Sequence, residues 1–355
     1  MTDADSAPAD PALLPAPRTA AAVDARQAVA GVVLADAPAA VSDSAADRIT
    51  RSVPANTARA YARQWGQFED WCLSRAEPVR PLPAAELTLA EYVNHLADRG
   101  LAPASIEQAI AVVRSRHTKA GFEGQPRTAA ALAILRTHRR DRAEDGKAKR
   151  QAPPVTLGPL RAMAEVADPS TAAGLRDRVL LVLGFAGMLR RSELAALNIG
   201  DVAFTEDGLV LTVRMSKTDQ EAQGTEVLIP PGSHPDTDPV RVVRAWIEHL
   251  RRRGVTSGRL LRAVTHKGAR IGESMTPTAI NDALRRLAVK AELPNAAAYT
   301  AHGLRAGGPT EASRRGVPTA TIARHGRWSP TSPQVMEYVR TADGWRDNPM
   351  NGIGL

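Results

Sequence analysis

The stretch VLLVLGFAGML (179–189), followed at once by RRSELAAL (190–197), decides the fold of this chain of 355 residues. Its first part is apolar on nearly every side of a helix, a pattern typical of a helix buried in a core. We predict that this helix runs from about Leu175 to Leu189. Arg190 and Glu193 follow it directly. An arginine at the end of a rigid buried helix is well placed to hold an anion, although a surface Arg–Glu pair explains the same pattern.

The residues after this helix predict a mostly helical domain with a small sheet. LVLTVRM (209–215) and TEVLIP (225–230) are rich in β-branched residues and predict a β-hairpin. The polar turn between them carries Lys217, and a lysine on such a turn is ordinarily just solvated. Further helices are predicted from Asp238–Pro239, from Thr276–Pro277, and near 302–315, 318–325 and 333–340.

The residues before the buried helix predict a separate helical domain. Four short helices fall within 51–140, the first marked by Trp65, Phe68 and Cys72 on one helical face and the third capped by Ser105. A basic linker is expected over 141–154 and a second domain over 155–343. Residues 1–50 are rich in Ala and Pro and predict a disordered tail.

The net charge of the chain indicates which class of macromolecule it binds. The formal net charge is +8, and residues 1–50 carry a net −4, so the rest of the chain is strongly basic. Basic folded surface is typical of nucleic-acid binding, although a GC-rich genome that favours Arg has the same effect. The single cysteine fits a reducing, cytoplasmic setting and excludes a disulfide or Cys-built zinc site within one chain. The sequence predicts no membrane span, no cofactor and no metal site.

Three short motifs near the C-terminus carry candidate chemistry. AHGLRAG (301–307) places His302 and Arg305 one helical turn apart, HGRWSP (325–330) contains Trp328, and VMEYVR (335–340) contains Tyr338. Taken alone, each is explained more simply by chance or by packing.

Taken in order, these residues resemble the tyrosine site-specific recombinases, also called phage integrases. That family has an Arg in a G-L-R-x-S-E-L-like stretch, a Lys on a β-hairpin, an H-x-L-R, a His or Trp, and a Tyr about nine residues later. LRRSELAAL, SKTDQ, HGLR, GRWS and MEYVR match it over about residues 52–355.

The resemblance implies a role for each matching residue. Tyr338 would be the nucleophile that forms a 3′-phosphotyrosyl bond with DNA. Arg190 and Arg305 would hold the non-bridging phosphate oxygens, and His302 would take the tyrosine proton or position the phosphate. Three further roles are implied: Lys217 as general acid, Trp328 as a hydrogen-bond donor to the phosphate, and Glu193 as a support.

The resemblance also implies an architecture and an assembly. Residues 51–140 would be the core-DNA-binding domain and 155–343 the catalytic domain, together forming a C-shaped clamp on a double-stranded recombination site. A homotetramer would act on two duplexes through a Holliday junction, with residues 344–355 packing on a neighbouring protomer. The alternative for that segment is a frayed end.

The sequence departs from the family pattern at two places. Gly308 and Pro309 stand where the family usually has an aromatic and a small residue, and a proline there is expected to kink the helix. Trp328 and Tyr338 are separated by one residue more than usual.

Two functions other than site-specific recombination are also compatible with the sequence. One is a non-catalytic DNA-binding protein, and the other is a DNA-relaxing enzyme like the type IB topoisomerases.

Overall fold

The computed structural model describes residues 42–53, 55–147, 152–214, 224–265, 270–329, 332–343 and 350–353. The chain divides into two compact units, Met1–Lys149 and Arg150–Leu355. Most of the predicted tail, residues 1–41, lies outside the described part. Its last residues differ from the prediction, because helix α1 (Asp43–Ser52) forms there with Ser42 accepting a hydrogen bond from the Ala45 amide at 3.3 Å.

The first unit contains four more helices built around an aromatic core. They are α2 (Ala55–Leu73), α3 (Glu86–Asp98), α4 (Pro103–Lys119) and α5 (Ala129–Glu144). Trp65, Phe68 and Cys72 are buried in this core, on the helix face that the sequence predicted. The imidazole of His117 is also fully buried, between the amide of Ala84 and the carbonyl of Val113, each at 2.8 Å.

Two predicted boundaries in this unit are wrong. Helix α4 begins at Pro103 rather than after a Ser105 cap, because proline has the backbone angle of a first helical turn and needs no amide partner there. Helix α5 continues to Glu144, into the predicted linker, since the charged residues there are compatible with a helix.

The second unit is mostly helical with one small sheet, as the sequence predicted. Its helices are α6 (Leu157–Glu165), α7 (Ala172–Ala186), α8 (Arg191–Ala196), α9 (Pro239–Arg252), α10 (Pro277–Lys290), α11 (Ala301–Arg314), α12 (Thr319–His325) and α13 (Pro333–Asp343). Helices α9 and α10 begin at the predicted prolines, with Asp238 and Thr276 as their caps. None of the described helices is both long and apolar enough to cross a membrane.

The sheet is antiparallel, with strands β1 (Val202–Thr205), β2 (Gly208–Val213) and β3 (Thr225–Ile229) in that order. Leu209 pairs with Ile229, so β2 and β3 are the predicted hairpin. Strand β1 and helix α6 were not predicted. The Asp207–Gly208 turn before β2 is a hairpin signal that would have indicated β1.

Helix α7 is the centre of this unit, and it packs against α6, α9 and α11. Its residues from Val179 to Leu183 are all almost fully buried, as the apolar run predicts. The helix ends at Ala186 rather than at Leu189, because Gly187 caps it and Met188 adopts a left-handed backbone with φ 46°. This turn directs the chain out of the core just before Arg190.

A second, smaller group of buried side chains lies beside the main core. We call it the satellite cluster; it consists of Met188, Ala306, Ile322, Ala323, Trp328, Val335 and Tyr338. It joins the end of α7 to helices α11, α12 and α13. The candidate nucleophile is therefore held by packing among the three last helices.

Candidate active site

Arg190 is held at the start of α8 by the carboxylate of Glu193. Its backbone amide donates to Glu193 Oε2 at 2.8 Å, and its guanidinium donates to Oε1 at 2.6 Å. The arginine side chain stays 20% exposed whereas that of Glu193 is 2% exposed. The two interpretations of Arg190, an ion pair with Glu193 and an anion site, are therefore compatible. The buried carboxylate holds one side of the guanidinium, and the other side stays accessible.

Glu193 is the buried counter-charge of the site. Its Oε2 also accepts a hydrogen bond from Arg327 Nη2 at 2.8 Å and lies 4.0 Å from Arg305 Nη1. Burial opposes ionisation of the carboxyl, but Arg327 and the bonds from Arg190 outweigh it and hold the pKa of Glu193 below its usual value. Glu193 is therefore ionised at neutral pH.

Arg305 lies on α11 in the interior of the site. Its guanidinium donates to the carbonyls of Met188 and Gly326, the latter at 2.8 Å, and its Cζ lies 4.2 Å from the ring centroid of Trp328. Burial, together with the charge of Arg190, lowers the pKa of Arg305 to about 9. The group stays cationic at pH 7, in surroundings where a charge acts strongly on an anion.

His302 lies one turn before Arg305 on α11 and is exposed. It borders an open cleft of about 370 Å³ whose lining includes Arg190, Arg191, Asn281 and Arg305. The predicted convergence of Arg190, His302 and Arg305 is therefore present in the structure. Two arginines and an imidazole around one cleft suit the tetrahedral oxygens of a phosphate.

Tyr338 reaches the same place from α13. Its hydroxyl lies 3.5 Å from His302 Nε2, and its ring is 5.6 Å from that of Trp328, centroid to centroid. Burial raises the pKa of the Tyr338 hydroxyl, and the charge of Arg305 opposes the rise. The tyrosine is therefore protonated near neutral pH and needs a base to become a nucleophile.

Lys217 lies outside the described residues, as do all of 215–223. The two ends of that segment are fixed by the sheet, since β2 ends at Val213 and β3 begins at Thr225. At its base, Arg214 Nε donates to the buried carboxylate of Asp201 at 2.5 Å.

The two departures from the family pattern are accommodated in the structure. Helix α11 continues through Pro309 to Arg314, and the hydroxyl of Thr310 donates to the carbonyl of Ala306 at 2.8 Å. The proline that was expected to kink this helix therefore does not end it. Between Trp328 and Tyr338, helix α13 begins at Pro333, a position in which proline is favoured.

Sequence reasoning missed Arg327 and the turn at Met188. Arg327 is 9% exposed, adopts a left-handed backbone with φ 58°, and donates to Glu193. Its neighbour Trp328 is the only signal in the sequence, because nothing distinguishes one buried arginine among 46 basic residues. Within the described residues, no group of three or more His, Cys, Asp or Glu side chains is arranged to hold a metal ion.

Comparison with known proteins points to one family. The profile of the phage integrase family matches residues 160–344. An integrase/recombinase xerD homolog of Selenomonas ruminantium is 30% identical over 308 residues, covering 86% of this chain and 87% of the relative. This chain belongs to the phage integrase family. It is a tyrosine site-specific recombinase.

Two further proteins are similar to this recombinase. Tyrosine recombinase XerC of Xanthomonas campestris pv. campestris is 33% identical over 201 residues, which cover 56% of this chain and 55% of that protein. The integrase of transposon Tn1549, in a structure with circular intermediate DNA, aligns with a TM-score of 0.57 at 16% identity, over 83% of this chain and 92% of that one. The structural likeness establishes the shared fold.

Proposed function

We propose that this recombinase cleaves and rejoins double-stranded DNA through a covalent bond to Tyr338. The tyrosine oxygen attacks the scissile phosphorus, a phosphorus–oxygen bond to the tyrosine forms, and the bond from phosphorus to the 5′ oxygen breaks. Attack by a 5′ hydroxyl on the phosphotyrosine then reverses the step on a new strand. The bond energy of the phosphodiester is retained throughout, so the reaction is balanced without a nucleotide cofactor.

The other residues would each serve one part of that step. Arg190 and Arg305 hold the non-bridging oxygens, whose charge grows in the transition state, and fixed guanidiniums suit that task. His302 accepts the proton of Tyr338, which lies within 3.5 Å. Phosphoryl transfer of this kind depends mainly on positioning and electrostatics.

Three residues would complete the machinery. Lys217 gives a proton to the departing 5′ oxygen. The indole N–H of Trp328 donates to the phosphate, while its ring supports both Arg305 and Tyr338. Glu193 is a positioning residue, because it holds Arg190 by two hydrogen bonds.

One observation carries the proposal: the hydroxyl of Tyr338 lies against His302 at the edge of a cleft formed by Arg190 and Arg305. Residues far apart in sequence bring a phenol, an imidazole and two guanidiniums together, which are the groups that the proposed step needs. A protein that only binds DNA has no need of a buried tyrosine hydroxyl beside an imidazole.

We further propose a homotetramer on two duplexes, joined through a Holliday junction. Exchange of both strands of two duplexes requires four cleavages, and each chain has one Tyr338. Residues 51–140 would contact the DNA as a core-binding domain, and 155–343 would be the catalytic domain. Residues 141–154 would form the basic linker between them, with its first four residues continuing helix α5. Residues 344–355 would pack on a neighbouring protomer, consistent with the exposure of Ile353. A cytoplasmic location is proposed on the single cysteine and the DNA substrate.

Covalent trapping tests the nucleophile. The full chain is mixed with nicked suicide duplexes tiled from the DNA that flanks its own gene, and protein–DNA bands that survive SDS are counted. We expect a band with the wild type and with Tyr299→Phe, a half-buried tyrosine outside the cleft, and none with Tyr338→Phe.

The same duplexes separate the alternatives. A gel shift without any covalent band would favour the non-catalytic binder. Relaxation of supercoiled plasmid without a defined site would favour the topoisomerase-like enzyme. A covalent band with Tyr338→Phe would show that another residue is the nucleophile.

A further inference from the structure

Arg327 is a buried arginine in an unusual backbone position. It follows Gly326, which caps α12. Its φ of 58° lies in the left-handed region that residues other than glycine seldom adopt. Its side chain is only 5% exposed. A buried charge in a strained conformation is retained only where the surrounding contacts hold it there.

Apart from a longer bond to the carbonyl of His325 at 3.4 Å, those contacts are made to the segment around Arg190. Arg327 donates to the carbonyl of Gly187 at 3.2 Å, to the carbonyl of Met188 at 3.3 Å and to Glu193 Oε2 at 2.8 Å. These acceptors lie at the end of α7 and the start of α8, the segment that presents Arg190. Arg327 therefore ties the loop before Trp328 to the loop before Arg190.

Arg327 and Arg305 face the same two groups, the carbonyl of Met188 and the carboxylate of Glu193. The carbonyl of Met188 accepts from both guanidiniums, and Glu193 bonds to Arg327 at 2.8 Å while Arg305 lies 4.0 Å away. A carboxylate already satisfied by Arg327 and by the amide of Arg190 attracts Arg305 less. Arg305 is then kept off Glu193 and beside the cleft.

We propose that Arg327 is a positioning residue that neutralises Glu193 from the buried side and so keeps Arg190 and Arg305 directed toward the scissile phosphate. Arg327 is absent from the lining of the cleft, which fits a role exerted through Glu193 rather than on the substrate. The proposal rests on the phosphate-binding roles given above to Arg190 and Arg305.

The test measures single-turnover cleavage of a nicked suicide duplex at saturating protein, with DNA affinity measured separately by gel shift. We expect Arg327→Met to slow cleavage about 100-fold while the affinity changes by less than about threefold, since only the transition-state charge is affected. Arg327→Lys keeps the charge and should recover part of the rate. Arg324→Met, on the exposed side of α12, is the control and should cleave at the wild-type rate.

The pH profile provides a readout that loss of packing alone does not move. Arg327 holds the pKa of Glu193 down, so in Arg327→Met that pKa rises. The variant should lose activity as the pH falls toward the raised value, where the wild type does not. An unchanged profile shape would overturn the proposal.

A double variant decides whether Arg327 acts through Glu193. In a Glu193→Gln background no carboxylate remains to be neutralised, so adding Arg327→Met should slow cleavage by less than about threefold further. Losses that multiply in full would contradict the proposal, as would a wild-type rate for Arg327→Met. If Arg327→Met fails to bind DNA, the other two variants still test the proposal. Arg327→Lys keeps the positive charge, and the double variant removes both the positive charge of Arg327 and the negative charge of Glu193. Failure of the wild type to cleave is a different result and contradicts the proposed function instead.

Discussion

At the scale of single residues, burial sets the chemistry of the site. Arg305 loses most of its hydration and its pKa falls to about 9, yet it remains charged at neutral pH, and water would screen little of its attraction for the proposed phosphate. Burial also raises the pKa of Tyr338, so the proposed nucleophile is protonated in the free protein. A reactive tyrosinate is therefore expected only when a phosphate and its proton acceptor are both in place.

The role of Lys217 can be tested at this scale. We expect Lys217→Ala to slow cleavage by about 100-fold or more, because the 5′ oxygen departs poorly without a proton. A substrate with sulfur in place of that oxygen has a leaving group of low pKa and needs no acid, so it should restore the rate. Cleavage of both substrates is measured in single turnover, with Lys290→Ala as the control. An equal defect on both substrates would remove Lys217 as the general acid.

At the scale of elements, the packing of α11 on α7 positions His302 and Arg305, the two candidate residues that α11 carries. Gly308 allows this close approach, since a Cβ there would lie 2.7 Å from the carbonyl oxygen of Phe185 and 2.9 Å from Met188 Cγ. The dipeptide Gly308–Pro309 departs from the family pattern, but the helix continues through it. The left-handed turn at Met188 then presents its carbonyl to Arg305, one turn of α11 before Pro309.

Gly308→Ala tests that packing. The added methyl must push α11 away from the end of α7, and overpacking of this kind costs about 1–3 kcal/mol of stability. We expect a lower denaturation midpoint together with at least a tenfold loss of cleavage, since Arg305 moves with the helix. Gly158→Ala in α6, where a Cβ meets nothing within 4 Å, should leave cleavage unchanged and should not lower the denaturation midpoint, because alanine is favoured over glycine in a helix. Equal stability and activity in the two variants would contradict the packing argument.

At the scale of the whole molecule, charge is separated along the chain. The acidic residues of the first 50 positions leave the remaining chain far more basic than the overall +8 indicates. Residues 51–149 and residues 150–355 each carry a net positive charge. Contacts with many phosphates across a duplex release counterions, which makes the affinity depend on salt.

Salt dependence is the corresponding prediction. For a protein with 6–10 phosphate contacts, affinity falls by about 10³-fold or more between 50 and 200 mM salt. We expect a loss of this size in gel shifts with a duplex that the protein cleaves. Thermal unfolding over the same salt range is the control, and it should change little. An affinity that stays flat would contradict binding through extensive phosphate contacts.

The sequence by itself determined the fold class and the identity of most candidate residues. The apolar run 179–189 required a buried helix, the caps at Asp238 and Thr276 fixed two helix starts, and five ordered motifs indicated the family. These signals are local, because periodicity, capping and motif spacing act over a few residues. Strand β1 was missed although the Asp207–Gly208 turn signals a hairpin, and helix α6 was missed because it has only 9 residues.

Only the tertiary structure decided how the site is held together. It brought Tyr338 to His302 and showed that Pro309 is tolerated. It also revealed the buried Arg327 behind Glu193. Whether an arginine faces water or a buried carboxylate depends on packing between distant segments, which no local pattern records. The charged residues that the proposed reaction needs can therefore be identified from the sequence. Which of them are buried, and which carboxylate each arginine pairs with, depends on the folded chain.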